Sequence, residues 1–254
     1  MDGRHHDGTS PLEVPRVTFV FWLIKIAATT LGETAGDAVS MSMNLGYLVG
    51  TAIFGVVFAI AVVAQIRADR FRPWLYWFTI VATTTVGTTL ADFADRSLGI
   101  GYPGGSLLLL ALVLASLGTW YATTGSVAVE TVSTPQTEMF YWVTIMFSQT
   151  LGTALGDWVA DTPRLGYSGA AMIFGAVLAL IAALYFWTPL SRTTLFWSAF
   201  VMTRPLGAAL GDFLDKPLSS GGLALSRYLA SAVLLAIMIV LIAVSPKQAA
   251  SRTH

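Results

Sequence analysis

No cysteine occurs anywhere in the 254 residues, which excludes disulfides, thiolate metal sites and redox dithiols. Charge is scarce. Asp, Glu, Lys and Arg make up 11% of the chain, where a soluble domain carries roughly 25%. There are three histidines, all near the ends of the chain, so no apolar run holds an imidazole. His5 and His6 lie in a polar leader and read as part of a solvated tail, with metal binding by the pair as the alternative. With no convincing Ser–Lys pairing either, an intramembrane enzyme is not expected, nor a cofactor or a nucleic-acid partner. Net charge is zero and says nothing about a partner, because in such a chain the distribution of charge matters more than its sum.

Apolar surface fills the gap that charge leaves. Hydrophobic residues are 55% of the chain and the mean hydropathy is +0.70. The runs 48–64, 107–122, 170–187 and 229–244 are uncharged and about long enough to cross a ~30 Å hydrocarbon core. Residues 1–17 and 246–254 read as cytoplasmic tails, the first disordered, flanking a single membrane domain over 18–245. A signal peptide is not expected: Asp2, Asp7 and Glu13 dilute the basic leader, and Lys25 interrupts the first apolar run.

Comparing the chain with itself exposes its organisation. Anchored on Gly32, Gly87, Gly152 and Gly207, each copy has a tryptophan ten residues earlier: Trp22, Trp77, Trp142 and Trp197. Before each tryptophan stands Phe21, Tyr76, Tyr141 or Phe196. Four residues after the anchor comes Gly36, Ala91, Gly156 or Gly211, and directly after it Asp37, Asp92, Asp157 or Asp212. A further glycine (Gly46, Gly101, Gly166, Gly221) follows fourteen residues past the anchor. The anchors are 55, 65 and 55 residues apart, so the first two copies match the last two at an offset of 120. The expected fold is therefore an all-α integral membrane protein of eight transmembrane helices. They form four parallel helical-hairpin repeats with pseudo-fourfold, two-by-two symmetry about the membrane normal. The repeats span approximately 18–66, 73–121, 138–187 and 193–245. Assembly with further copies of the chain stays open.

Loop charges set an orientation. Arg4, Arg16, Arg67, Arg70, Arg72, Arg192, Lys247 and Arg252 share the side of the termini, while Arg96, Arg164, Lys216 and Arg227 are assigned opposite. Termini in the cytoplasm follow. The first helix of each copy carries the polar residues and is expected to form an inner ring, with the second helix outside it. Gly32/Gly36, Gly152/Gly156 and Gly207/Gly211, together with Gly87, make small-residue stripes for close helix packing. On a helical wheel the aspartate falls roughly 140° from the anchor glycine. Thr30, Thr85 and Thr150 lie within about 20° of Asp37, Asp92 and Asp157. Copies also differ. The first adds Lys25, Thr29 and Glu33, the third has Gln149, and the fourth has Thr203-Arg204-Pro205, where proline should break or kink the helix.

A charge at the bilayer centre costs at least ~2.5–3.5 kcal/mol, which marks Lys25, Glu33 and Arg204 for function. Structural roles stand beside that reading. The repeated aspartates could cap helix ends at the outer interface, Lys25 could snorkel to the headgroups, and Arg204 could lock the bundle in an ion pair. Asp95, Asp161 and Asp215 read as rim charges, and the tryptophans as interface anchors.

The strings KIAATTLGETAGD (25–37), GTALGD (152–157) and TRPLGAALGD (203–212) resemble a family of bacterial membrane proteins defined by a fourfold repeat of unknown function. The resemblance covers about residues 18–245 and implies the four-hairpin architecture and a bacterial inner (plasma) membrane location. It brings no established activity. A more distant similarity is to calcium/manganese–proton exchangers, whose paired acidic motif Glu33-Thr-Ala-Gly-Asp37 exceeds by one residue, with Ala38 in place of the basic residue.

Carboxylates and hydroxyls without thiols or imidazoles suit hard cations. The expected function is membrane transport of a small polar solute, a hard cation with divalent ions among the candidates, coupled to protons through Glu33 and Asp37, the candidate metal ligands. Lys25, Thr29, Thr30, Thr85, Asp92, Gln149, Thr150, Asp157, Arg204 and Asp212 complete the candidate binding set. Two alternatives remain: a passive cation channel on the pseudosymmetry axis, and a carrier of an anionic or zwitterionic organic solute held by Lys25 and Arg204. The expected partners are the lipid bilayer and that solute.

Overall fold

The computed structural model describes residues 14–68, 70–161 and 165–245. The expectations for both tails, for His5 and His6, and for Arg164 lie outside the described residues. Within them the chain is all helical, with eight α-helices: α1 (Phe19–Asp37), α2 (Tyr47–Ile66), α3 (Pro73–Asp92), α4 (Tyr102–Thr124), α5 (Pro135–Asp161), α6 (Gly166–Trp187), α7 (Arg192–Asp215) and α8 (Arg227–Val244).

Local chemistry explains the starts and turns. The Thr18 hydroxyl caps α1 by accepting from the Phe21 amide at 3.2 Å. Pro73 opens α3 at a position that needs no amide hydrogen. The repeated glycine before α2 and α4 adopts φ of 79° at Gly46 and 75° at Gly101, a conformation that side chains disfavour. That geometry is why glycine recurs there in every copy.

The odd-numbered helices make an inner ring in the order α1, α3, α5, α7, closed by α7 against α1. The even-numbered helices lie outside it, each packed mainly on the next copy rather than on its own partner. α2 packs on α3, α4 on α5, α6 on α7, and α8 on α1. The repeat in sequence is therefore displaced by one helix from the pair that packs in space, and α8 returning to α1 closes the ring. α2, α4, α6 and α8 are long and apolar enough to cross a membrane. They expose Leu48, Val56, Leu107, Met172, Leu229 and Val240 among other apolar side chains.

Glycines bring the inner helices together. A Cβ on Gly32 would overlap the Thr84 side chain, one on Gly87 the Gln149 backbone, one on Gly152 the Arg204 side chain, and one on Gly207 Thr29. Each anchor glycine thus meets the residue three before the anchor in the next copy. Gly36, Gly156 and Gly211 repeat the contact one turn on, against Thr88, Ala208 and Glu33.

At the end nearer the chain termini the ring closes on aromatic side chains. Phe21 meets Trp77, Tyr76 meets Trp142, Tyr141 meets Trp197 and Phe196 meets Trp22, at centroid separations of 5.3, 5.7, 6.1 and 5.8 Å. Tyr76 and Tyr141 share a 2.6 Å hydrogen bond. Trp77, Trp142 and Trp197 are buried and Trp22 is half-buried, which corrects their reading as interface anchors: they are the core of a collar. The long connection between α4 and α5, the cause of the 65-residue spacing, packs against it. Val129 and Val132 are buried there, and the Trp197 indole donates to the Val127 carbonyl at 2.9 Å.

At the opposite end the copies diverge. α1 and α3 run on into π-helical turns, Ala38–Ser42 and Phe93–Ser97, whereas α5 and α7 stay α-helical to their last residues. α7 is also continuous through Pro205, so the expected break is absent. Its neighbour α5 presents Gly152 and Gly156 at that level, leaving room for the proline ring and for the Pro205 carbonyl.

Candidate cation-binding site

Arg204 occupies the middle of the inner ring, fully buried. Its side chain rises from α7 past Gly152, and one terminal nitrogen lies 3.0 Å from Glu33 Oε2, 2.6 Å from Thr88 Oγ1 and 2.5 Å from Thr153 Oγ1. Those three acceptors occupy one repeat position, directly after the anchor glycine, in the first three copies. The fourth has Ala208 there, which makes space for the guanidinium. Arg204 thus ties all four inner helices together, and the axis is filled at its level.

One turn further from the collar, the four repeated aspartates form two pairs. Between α1 and α7, the Lys216 amine sits 2.5 Å from Asp37 Oδ2 and 3.0 Å from Asp212 Oδ1. Between α3 and α5, Arg96 sits 2.9 Å from Asp92 and 3.4 Å from Asp157. The 120-residue offset relates one pair to the other: Lys216 to Arg96, Asp212 to Asp92, and Asp37 to Asp157. In each pair two carboxylates share one close cation.

The α1–α7 pair carries more. One carboxylate oxygen from each of Glu33, Asp37 and Asp212 can be chosen so that all three lie within 4.8 Å of one another. An ion bound at about 2.0–2.6 Å to each oxygen requires separations no greater than about 5 Å, so the three fit one hard cation. Asp37 Oδ1 has no hydrogen-bond partner among the described residues. Arg227 pairs with Asp215 at 2.7 Å and approaches Asp37 at 3.8 Å. The segment after α7 folds back on the helix end, with the Leu223 amide on the Phe213 carbonyl and the Ala224 amide on that of Lys216, and so delivers Lys216 and Arg227. Burial alone would lower the pKa of the Lys216 amine, but Asp212, Asp37 and Asp215 outweigh it and hold the amine above its ordinary value.

The remaining sequence candidates fall elsewhere. Thr30, Thr85 and Thr150 donate to the carbonyls of Ile26, Val81 and Met146 in their own helices, at 2.9, 2.8 and 3.0 Å. Thr30 also lines a lateral groove of about 530 Å³ between α1, α7 and α8. Thr85 lines another of about 730 Å³ whose walls include Phe54, Trp74 and Ile239. Thr29 bridges α1 to α7 through the Thr203 carbonyl at 3.2 Å. Lys25 and Gln149 are fully buried between collar and Arg204. Lys25 therefore does not reach out toward headgroups; its ammonium lies 4.1 Å from the centre of the Phe200 ring. Asp215 is buried in an ion pair rather than at a rim, and Asp161 is exposed.

Four successive segments of the chain, residues 20–71, 75–126, 140–190 and 195–247, match a single family description. The chain belongs to the family described as Repeat of Unknown Function (DUF347). Its four repeat units coincide with the four inner–outer helix pairs in sequence, and each unit contributes one aspartate to the two paired sites. No curated protein and no solved structure matches the chain.

Sequence reasoning missed Lys216 and Arg96 as site residues by treating them as loop charges. The signal was present: each lies four residues after its aspartate, the spacing at which opposite charges meet on a helix.

Proposed function

We propose that this protein is a membrane carrier for a small hard cation, exchanged for protons at Glu33, Asp37 and Asp212. All eight helices span the bilayer in this reading, and the aromatic collar faces the cytoplasm with the termini. The bilayer is a bacterial plasma membrane. The observation that carries the proposal is the three-carboxylate cage with a lysine as its internal counter-ion. A cation entering the cage would take the oxygens that Lys216 now holds, and the displaced ammonium keeps Asp215 as a neighbour. Protonation of the same carboxylates would release the cation, because a neutral carboxyl offers neither charge nor an equivalent ligand. The chain's own residues thus supply both halves of an exchange cycle, and no catalytic step or cofactor is involved.

Arg204 speaks against an axial channel, since its guanidinium fills the axis and is held by three helices. A carrier of an organic anion held by Lys25 and Arg204 is less favoured, because Glu33 already matches one of the two charges.

Purified protein in proteoliposomes decides the matter: uptake of Mn²⁺, Mg²⁺, Ca²⁺ and Na⁺ is followed with and without an imposed pH gradient. Uptake that the gradient drives, and that Asp37→Asn removes, is expected. A current proportional to voltage and indifferent to the gradient would replace the carrier with a channel, and no flux of any of these ions would overturn the proposal.

A further inference from the structure

Between the aromatic collar and the Arg204 layer lies a group of polar side chains that the carboxylate cage does not use. Lys25 on α1 is 0% exposed, and its ammonium has no hydrogen-bond partner among the described residues. It rests over the ring of Phe200 at 4.1 Å, one turn before Arg204 on α7. Arg204 spends one terminal nitrogen on Glu33 and the threonines, while its Nε and second terminal nitrogen have no partner among the described residues. Gln149 on α5 stands one turn before Thr153, which accepts from Arg204 at 2.5 Å. Both ends of its amide are buried and likewise unpartnered. Thr83 on α3 adds a fourth such group, next to Thr84, whose carbonyl lies 3.4 Å from the Arg204 guanidinium.

Four helices therefore each place an unsatisfied, buried polar group within about one turn of Arg204. The inventory is lopsided. An ammonium, two guanidinium nitrogens, an amide nitrogen and a hydroxyl can all donate, and the only obligate acceptor is the Gln149 carbonyl. The charge is lopsided too. Glu33 balances Arg204, and nothing among the described residues balances Lys25. A cation–π contact offsets only a small part of what an isolated buried ammonium costs. Deprotonating Lys25 would relieve its charge but leave the guanidinium, amide and hydroxyl groups unsatisfied.

We propose that this cluster of unpartnered groups is an internal binding site for a small monovalent anion of halide size, held by Lys25, Gln149 and the free side of Arg204. An anion there balances the lysine and supplies the acceptor that these unpartnered donors lack. It also keeps Arg204 charged and extended toward Glu33, so that the anion braces the same arginine that positions the carboxylate cage from below. The site stands on residues outside that cage and does not depend on its being a transport site.

The test is binding to the full-length protein in detergent. At constant ionic strength, replacing gluconate by bromide should raise the Tm saturably, by about 5 °C or more at a hundredfold excess over Kd. Lys25→Met, which keeps length and removes charge, should abolish the dependence on bromide. Crystals of the unmodified protein grown in bromide should show an anomalous peak between Lys25 Nζ and the Gln149 amide, a readout that holds even if the variant does not fold. No bromide dependence of the unmodified protein, an equal response in Lys25→Met, or no anomalous peak at saturating bromide would each overturn the proposal. Because the readout is anion binding, its failure would leave the cation carrier untouched, and absence of cation flux would leave the anion site untouched.

Discussion

The α1–α7 and α3–α5 interfaces are built from equivalent positions of the repeat but hold different side chains. Each holds two buried aspartates around one close cation. Across the 120-residue offset, however, Glu33 becomes Thr153, Lys216 becomes Arg96 and Arg227 becomes Leu107. The α3–α5 interface keeps a guanidinium, whose planar fork is suited to holding two carboxylates at once, and a hydroxyl in place of the third acid. The α1–α7 interface has a third carboxylate and a compact ammonium on a flexible stem. On the proposed reading, one interface serves as a strut and its relative as the place where cations exchange. The frame is shared, and a handful of substitutions on one side supply the third acid and the lysine.

Removing the centre that both interfaces share should have the largest effect. Arg204→Met strands Glu33 as a buried charge and is expected to cost about 3–5 kcal/mol, read as a lost or strongly lowered unfolding midpoint in detergent. Adding Glu33→Gln to it should recover much of the loss. Recovery by Asp157→Asn instead would mean that the arginine serves the α3–α5 side.

Next in size is the contrast between equivalent aspartates. Asp37→Asn should reduce pH-driven cation uptake at least about tenfold, equivalent to ~1.4 kcal/mol in cation binding or more. Asp157→Asn should leave uptake within about twofold, the size of ~0.4 kcal/mol. Equal losses would show that the two interfaces work alike.

Exchanging the cations sharpens the same point. Lys216→Arg should slow uptake a few-fold, because a bidentate guanidinium yields its carboxylates less readily, while Arg96→Lys should not. Uptake rates at saturating cation check both. The smallest expected effect lies at the far end of the molecule. Trp197→Phe removes the hydrogen bond to Val127 and should cost about 1 kcal/mol by thermal unfolding, without altering uptake.

The aromatic collar and the cation sites also differ in how much of each was legible beforehand. Phe21, Trp22 and their equivalents repeat strictly, so a feature made of them was visible as a pattern, yet its place was misjudged. A tryptophan at a helix start looks the same whether it meets headgroups or another helix. The inner ring, the glycine stripes and the recurring aspartates followed from spacing alone, since helical periodicity puts residues four apart on one face. The pairing of those aspartates did not follow. Lys216 reaches Asp37 across 179 positions, and its delivery depends on a fold-back of the segment after α7 that carries no periodic signature.

By itself, the sequence determined the helices, their fourfold recurrence and the scarcity of charge, because each is a local property of spacing and composition. Only the tertiary structure decided that every outer helix packs on the next copy, since loops of these lengths permit either neighbour. It also decided which acid meets which base. A buried charge takes the partner that the packed ring brings within about 3 Å, and that distance is not written in any single stretch of chain.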